Sequence, residues 1–212
     1  MSGWIEVRVA ERRPLADGIV GFWLEGVEGP LPPFEAGDHV EVEVGPRVVR
    51  QYSLCGVPGE DGRYRLGVQR EATGRGGSRA FCDGYGVGST LRISRPRHRF
   101  PIVEDGSEVV LVAGGIGITP LMAMAWRLHT RGQPFSLHFC FRNRERAAFL
   151  DELAEAPFAD RVHLHADDGS TGCPLDLAEL VRERRGHLYC CGPAGFMGAV
   201  REAALAAGWP GS

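Results

Sequence analysis

The sequence of 212 residues contains no lysine; all 24 of its basic residues are arginine. Together with 27 acidic residues they give a formal net charge of −3. The absence of a basic excess or a polybasic run argues against nucleic acid or an anionic membrane surface as a partner. An arginine-only set of cations does suit bidentate binding of phosphate.

The cysteine spacing also lacks familiar signatures. The six cysteines form neither a Cys-x-x-Cys pair nor the cysteine run that holds a plant-type iron–sulfur cluster. A chain of this length does not need disulfides to complete its core. We therefore expect reduced thiols and a cytoplasmic protein.

Long apolar runs and metal or hydrolase motifs are missing as well. The longest apolar stretch, residues 109–126, is broken by glycine, threonine and proline, so it does not predict a membrane span. The amino terminus alternates polar and apolar residues and has no signal-peptide core. Of the seven histidines only His163 and His165 are close in sequence, and without a third ligand nearby we expect no metal site. No motif indicates hydrolysis.

Up to about residue 103 the apolar residues recur at every second position over short segments, which is the pattern of short β-strands. Val40, Val42 and Val44 alternate with Glu41 and Glu43, as in a strand with one buried face. Strands are predicted at 5–9, 19–24, 40–44, 47–54, 64–70 and 90–94, with turns at 16–18, 29–30, 60–62 and 84–86. Strands at this spacing suggest an antiparallel barrel.

Beyond residue 106 the pattern changes to alternating strands and helices. Residues 109–113 form a continuous apolar run that suits a central parallel strand. The pattern then predicts helix 120–130, strand 136–142, helix 146–155, strand 162–166, helix 175–184, strand 187–191 and helix 194–207. The predicted fold is an antiparallel β-barrel domain, residues 1–103, followed by a parallel-sheet α/β domain, residues 104–212.

A glycine-rich loop follows the first strand of the α/β half. Its glycines allow close backbone approach to a pyrophosphate, and the following helix offers unpaired N–H groups. We expect Thr119 to cap that helix and Pro120 to occupy its first position. The candidate residues are Gly114, Gly115, Gly117, Ile118, Thr119 and Pro120. A tight turn whose glycines serve packing alone is the alternative.

A second motif, Arg50-Gln51-Tyr52-Ser53, ends a predicted barrel strand. Strand alternation places Arg50 and Tyr52 on one face and Gln51 and Ser53 on the other. The arginine could meet a phosphate and a hydroxyl could meet a ring nitrogen, as a flavin mononucleotide would require. A polar strand end without a ligand is the alternative.

Two further motifs lie in loops. The small residues Gly74, Arg75, Gly76, Gly77 and Ser78 can form a concavity of backbone N–H groups for an anion, although a mobile loop is the alternative. Cys191 closes the last predicted strand and Gly192 and Pro193 follow it, at the edge where parallel sheets bind ligands. A buried cysteine acting as a small hydrophobe would look the same. Arg142 could meet a nucleotide phosphate or lie in a solvated loop.

Taken together and in this order, the motifs resemble the ferredoxin–NADP reductase superfamily, and more closely its phthalate dioxygenase reductase-like branch. The resemblance runs along essentially the whole chain, through Arg-x-Tyr-Ser-Leu, Gly-Arg-Gly-Gly-Ser, Ala-Gly-Gly-Ile-Gly-Ile-Thr-Pro and Cys-Gly-Pro. It implies an oxidoreductase with a flavin-binding barrel and a nicotinamide-nucleotide-binding α/β domain. In that branch the flavin is FMN, and the arginine of the Arg-x-Tyr-Ser motif and the Gly-Arg-Gly-Gly-Ser loop lie around its phosphate. FAD would need a surface for adenine, and the sequence has no clear aromatic platform for one.

The resemblance also implies roles for individual residues. Ser53 would lie near the flavin N5 and Cys191 over the nicotinamide C4, and both would align hydride donor and acceptor. Asp167 and Asp168 follow the predicted strand 162–166, where NADPH-using relatives tend to carry a serine and a cation. Carboxylates there would repel a 2′-phosphate, so NADH is expected rather than NADPH.

The branch feeds electrons to oxygenases through ferredoxin-type iron–sulfur centres, so the implied partners are such a domain or protein and, through it, an oxygenase. Relatives continue past the equivalent of residues 208–210 into another strand, and most then carry a ferredoxin domain. We therefore expect this chain to be a piece of a longer reductase. Two rival functions stay open: a flavin reductase that releases reduced flavin, and a flavin- or nucleotide-binding sensor without turnover.

Overall fold

The computed structural model describes residues 3–58, 62–172, 174–182 and 186–211, which form two sheets in sequence order. The strands of the first sheet are β1 (Trp4–Ala16), β2 (Ile19–Gly26), β3 (Asp38–Gly45), β4 (Val48–Ser53), β5 (Tyr64–Gln69), β6 (Thr90–Ser94) and β7 (Arg97–His98). A short helix, α1 (Gly77–Gly84), lies between β5 and β6.

The first sheet is an antiparallel barrel. Its strands follow the order β4-β3-β6-β1-β2-β5, with β7 paired to β3. An antiparallel bridge between Leu54, directly after β4, and Leu66 of β5 joins the two ends of that order. Along β3 the valines are buried and the alternate residues are less so, and the valines pack in the barrel core. The alternating period in the sequence therefore supplies the barrel interior.

The second sheet is parallel and carries helices between its strands. Its strands are β8 (Val109–Gly114), β9 (Phe135–Phe141), β10 (Val162–Ala166) and β11 (His187–Cys191), in the order β10-β9-β8-β11. The helices are α2 (Ile118–Arg131), α3 (Leu150–Glu155), α4 (Leu177–Arg182) and α5 (Ala194–Ala206), with single 3-10 turns at Gly115–Gly117, Arg144–Arg146 and Ala159–Arg161. The predicted fold class, an antiparallel barrel followed by a parallel α/β sheet, is confirmed.

The strand order reverses between β8 and β11. The chain moves from β8 outward to β9 and β10 on one side, then returns to place β11 on the other side of β8. Open parallel sheets bind ligands outside the carboxyl ends of their strands at such a reversal. Here those ends carry Gly114 and Cys191, so the loop and the Cys-Gly-Pro motif are neighbours.

Helix α2 connects the two halves of the molecule. Its apolar side chains are buried against β8 and β9, and the same hydrophobic cluster includes Ile19, Ala36 and Cys55 of the barrel half. In a separate apolar cluster, Val181 of α4 and Ala204 of α5 pack with Trp209, whose indole N–H donates to the Val181 carbonyl at 2.9 Å. The barrel and the parallel sheet therefore share an apolar interface along α2.

Two local predictions are wrong. The predicted helix 146–155 begins only at Leu150, because Phe149 has a left-handed φ of 68° and is buried with Ala147 and Ala148. Thr119 does not cap α2: the helix begins one residue earlier, and the Thr119 hydroxyl donates to the Ile116 carbonyl at 3.0 Å. Pro120 is consequently the third helical residue, still within the turn that tolerates proline.

The strand predicted at 5–9 is longer than expected, since β1 runs to Ala16, and the other predicted elements are present with ends that differ by a few residues. The turn residues 60–61, Cys173 and the end of the predicted helix 175–184 lie outside the described residues. The proposed boundary between the halves, at 103–107, lies in the segment 99–108, between β7 and β8. Within the described part of the chain, no helix is long and apolar enough to span a membrane.

Candidate active site

A cavity of about 410 Å³ brings the barrel motifs and the α/β motifs together. We call it the loop-side cavity, after the glycine loop 74–78 that lines it. Its lining residues are Arg50, Gln51, Tyr52, Ser53, Gly67, Gln69, Glu71, Thr73, Gly74, Arg75, Gly76, Gly77, Ser78, Ile116, Gly117, Thr119, Cys191 and Gly192. All predicted residues of the two barrel motifs therefore line one space, together with four of those predicted for the α/β half.

The end of β4 supplies a cation and a buried hydroxyl. The Arg50 side chain donates to the Val49 carbonyl at 2.8 Å, which holds the guanidinium beside the strand. Tyr52 packs against Phe81 of α1 with ring centroids 5.4 Å apart. Its hydroxyl is buried and has no hydrogen-bond partner in the described part of the chain, and burial raises the pKa of Tyr52 to about 12. The hydroxyl is therefore a protonated donor at neutral pH.

The glycine loop turns sharply into α1. Gly74 and Gly76 have left-handed φ values of 128° and 74°, and α1 begins at the next residue. A Cβ on Gly77 would lie only 2.8 Å from Cζ of Arg50, so a side chain at that position would displace the guanidinium. The Ser78 hydroxyl oxygen accepts the Glu71 N–H at 3.1 Å, which leaves its own O–H free to donate. Backbone donors and two arginines thus converge on the cavity.

The start of α2 touches the end of β11 directly. A Cβ on Gly117 would overlap the Cys191 carbonyl oxygen, so the glycine allows the two segments to pack backbone against backbone. Close packing therefore requires a residue without a side chain at Gly117. The same is true of Gly114, since a Cβ there would lie 2.7 Å from the Phe196 ring. Gly115, in contrast, has a φ of 53° and open space on its Cβ side.

A second cavity, of about 420 Å³, shares Gln51, Ser53 and Cys191 with the loop-side cavity. It is called the arginine-side cavity, and its lining residues are Gly37, His39, Gln51, Ser53, Arg97, Arg99, Phe100, Pro120 and Cys191. Of the β4 motif only Gln51 and Ser53 line it, as strand alternation predicts. Ser53 and Cys191 line both cavities, so these two side chains lie where the barrel and the parallel sheet meet.

Partial burial raises the pKa of the Cys191 thiol, and the neighbouring Cys190 raises it further. The thiol is therefore protonated at neutral pH.

Other predicted residues lie at the same sheet edge but outside both cavities. Arg142, Asp167 and Asp168 are exposed at the ends of β9 and β10. The Asp168 carboxylate accepts the Ser170 N–H at 2.9 Å, and hydrogen bonds from the side chain and then the backbone of Ser170 lower the pKa of Asp168. Gly114, Gly115, Ile118 and Pro193 do not line either cavity.

Three histidines lie together on β9 and β10. His138 Nδ1 is 3.2 Å from His165 Nε2, and the His138 ring stacks on His163 with centroids 4.7 Å apart. Burial, followed by the charges of His163 and His165, lowers the pKa of His138 to about 4. No group of three or more His, Cys, Asp or Glu among the described residues is arranged to hold a metal ion.

Comparison with known proteins assigns the chain to a family. Residues 111–202 match the oxidoreductase NAD-binding domain family. The chain is 43% identical to the vanillate O-demethylase oxidoreductase of Pseudomonas sp. strain HR199, covering 97% of this chain and 66% of the relative. It is 37% identical to the phthalate dioxygenase reductase of Burkholderia cepacia, covering 99% and 66%. The chain belongs to the phthalate dioxygenase reductase-like family.

A solved structure extends the likeness from sequence to geometry. Phthalate dioxygenase reductase, described as a modular structure for electron transfer from pyridine nucleotides to a 2Fe-2S centre, matches with a TM-score of 0.91 and 36% identity. The match covers 99% of this chain and 66% of that one. This phthalate dioxygenase reductase-like chain thus spans just under two thirds of the length of these relatives.

Sequence reasoning missed one wall of the loop-side cavity in this reductase-like chain. Gly67 and Gln69 of β5, with Glu71 and Thr73 beyond it, line the cavity along with Ile116. The first four are spaced two residues apart, which is the period of one strand face. That period was a usable signal, but only the closure of β5 next to β4 shows which face meets the site.

Proposed function

We propose that the chain is an FMN-dependent NADH reductase module that passes single electrons to a ferredoxin-type iron–sulfur centre serving an oxygenase. The observation that carries the proposal is that Ser53 of the barrel and Cys191 of the parallel sheet line the same two cavities. Hydride transfer between two cofactors requires a site shared by both binding units.

The residues around the loop-side cavity fit FMN. A cavity of about 410 Å³ is within the usual range for ligand sites. Arg50, Arg75 and the N-terminal N–H groups of α1 provide the charge and the donors that a phosphate needs. The Tyr52 hydroxyl is a further donor that lacks an acceptor among the described residues. FMN is proposed over FAD because these features are sufficient for a single phosphate.

The loop after β8 fits the pyrophosphate of a nicotinamide nucleotide. Gly115 has open space where a side chain would be, at the carboxyl edge where the strand order reverses. Backbone N–H groups at the start of α2 face that edge. We propose Gly114, Gly115, Gly117, Ile118, Thr119 and Pro120 as the nucleotide-binding loop, with Arg142 near a phosphate.

The residues of this chain would catalyse by alignment. When bound, the flavin accepts a hydride and releases electrons one at a time. Ser53 would hold the acceptor ring from the barrel side, and the uncharged Cys191 thiol would limit the position of the nicotinamide from the sheet side. Neither residue needs to move a proton, because proximity and orientation account for most of the rate in such transfers.

We propose NADH rather than NADPH as the donor. Asp167 and Asp168 are exposed at the end of β10, and their carboxylates can accept hydrogen bonds from ribose hydroxyls. The same charges would repel a 2′-phosphate at close range.

The test is an absorbance spectrum of the purified protein before and after anaerobic addition of NADH. We expect the flavin absorption to bleach, and FMN to be the cofactor released on denaturation. A protein that neither contains nor takes up flavin would refute the proposal. Turnover that requires free flavin would favour the flavin reductase, and bound flavin that NADH does not reduce would favour the sensor.

A further inference from the structure

An ion pair connects the barrel to the α/β half beside the candidate site. Arg65 of β5 donates two hydrogen bonds to the Glu152 carboxylate of α3, from Nη1 at 2.9 Å and from Nη2 at 2.5 Å. The two side chains are only 17% and 31% exposed. Because the bonds run in parallel from a rigid fork, they fix orientation as well as distance.

Aromatic rings hold the same guanidinium on both sides of the interface. Its central carbon lies 5.1 Å from the ring of Trp23, in the barrel, and 4.7 Å from the ring of Phe149, in the α/β half. Phe149 has the left-handed backbone that ended the predicted helix early, a conformation that costs energy for a residue with a side chain. The strained turn therefore brings both Phe149 and Glu152 to Arg65.

On the barrel side, Arg65 is close to the strand end that carries Ser53. The Arg65 carbonyl accepts the backbone N–H of Cys55 at 3.0 Å, two residues after Ser53. The adjacent bridge between Leu54 and Leu66 closes the barrel at the same place. A shift of Arg65 would therefore be transmitted to the end of β4 through backbone contacts.

On the α/β side, the next residue on the same face of β5 meets α2. A Cβ on Gly67 would lie 2.8 Å from the Thr119 methyl group, so β5 and α2 are in close contact. Two residues before Thr119, Gly117 packs against the Cys191 carbonyl. The ion pair between Arg65 and Glu152 thus lies at the contact that fixes the position of Ser53 relative to Cys191.

We propose that Arg65 and Glu152 are positioning residues that set the separation between Ser53 and Cys191, an inference that rests on the proposed function. Neither side chain lines the loop-side or the arginine-side cavity, so neither is expected to touch a cofactor. Loss of the pair should therefore slow hydride transfer while leaving the binding of each cofactor nearly unchanged.

The experiment compares Glu152→Gln, which removes the charge, with Arg65→Lys, which keeps the charge but removes the fork. The matched control is Glu25→Gln, which breaks the surface ion pair between Arg8 of β1 and Glu25 of β2, away from the interface between the two halves. Anaerobic stopped-flow reduction should show a limiting rate at saturating NADH about 10- to 100-fold lower in the two interface variants. The FMN dissociation constant and half-saturating NADH should change by less than about twofold in all three.

A second measurement does not depend on turnover. The Asp17 amide of the barrel half donates to the Glu145 carbonyl of the α/β half at 2.7 Å across the same interface. Its hydrogen exchange should be faster in Glu152→Gln than in the unsubstituted protein, and unchanged in Glu25→Gln.

Unchanged limiting rates in both interface variants would overturn the inference. A loss of FMN and NADH affinity as large as the loss of rate would also overturn it, since the pair would then act on cofactor binding. Failure of both variants to fold would overturn it as well, since the pair would then serve stability alone. If only Glu152→Gln fails to fold, Arg65→Lys decides on the same measurements. If NADH does not reduce the unsubstituted protein, the proposed function fails, and the Asp17 exchange still supports or overturns the interface contact.

Discussion

Gly117→Ala is a direct test of how the nucleotide loop meets the Cys-Gly-Pro segment. Gly117 has φ −61° and ψ −6°, which alanine adopts without backbone strain. Any effect therefore comes from the added methyl group. That group would overlap the Cys191 carbonyl oxygen and lie 2.6 Å from the Gly192 nitrogen.

The size of the effect follows from the overlap. The two segments have to separate by about 1 Å, because the contacts involve backbone atoms that cannot rotate away. A displacement of this size between reacting groups typically costs about 100-fold in rate, which corresponds to about 2.7 kcal/mol in the activation barrier. Overpacking should also lower the free energy of unfolding by about 1–3 kcal/mol.

The assay is anaerobic reduction of bound flavin by NADH, followed in stopped flow, with FMN content measured on the same sample. The control is Gly198→Ala in α5, where a Cβ meets no atom within 4 Å. The control should retain the normal rate. A Gly117→Ala protein that reduces its flavin at the unsubstituted rate would show that the position of Cys191 does not limit hydride transfer, and would refute the reasoning.

Three further predictions follow from the site and the histidine cluster. Arg50→Ala should weaken FMN binding by about 1.5–3 kcal/mol in a fluorescence titration, the usual contribution of a charge-assisted hydrogen bond. The kcat/KM for NADH should exceed that for NADPH, because in the proposed site Asp167 and Asp168 would repel a 2′-phosphate. The lowered pKa of His138 should make stability fall as the pH drops from about 6.5 toward 4, since only the unfolded chain then binds the proton. In urea unfolding at about pH 7 and about pH 5, His138→Gln should reduce this difference by about 1–2 kcal/mol, a value discounted for partial exposure.

Each of these predictions has a contrary result. An FMN affinity that does not change in Arg50→Ala, or that falls equally in the surface control Arg92→Ala, would remove Arg50 from the phosphate site. Equal or better use of NADPH would contradict the role given to the two aspartates. A His138→Gln protein with an unaltered pH dependence would show that another group binds the proton.

Part of the candidate site could be predicted because its residues lie in local motifs. Strand alternation predicts that Arg50 and Tyr52 lie on one face and Gln51 and Ser53 on the other, and the small residues around Gly76 and Gly77 predict a loop for an anion. The role of Ser53 came only from the family resemblance. The same local reasoning was wrong for the predicted helix 146–155, because burial of Phe149 at the interface outweighed the helical pattern of its neighbours. It was also wrong for Thr119, which lies inside α2 and whose hydroxyl donates to the Ile116 carbonyl instead of capping the helix.

By itself the sequence determined the two fold types and the order of the motifs, since alternation and glycine placement act over a few residues. Only the tertiary structure decided that β4 closes against β5, that β11 returns beside β8, and that Ser53 and Cys191 therefore share two cavities. It also decided the pairing of Arg65 with Glu152, which are 87 residues apart in the chain. Contacts at that separation depend on the docking of two complete sheets, and no local pattern specifies how those sheets dock.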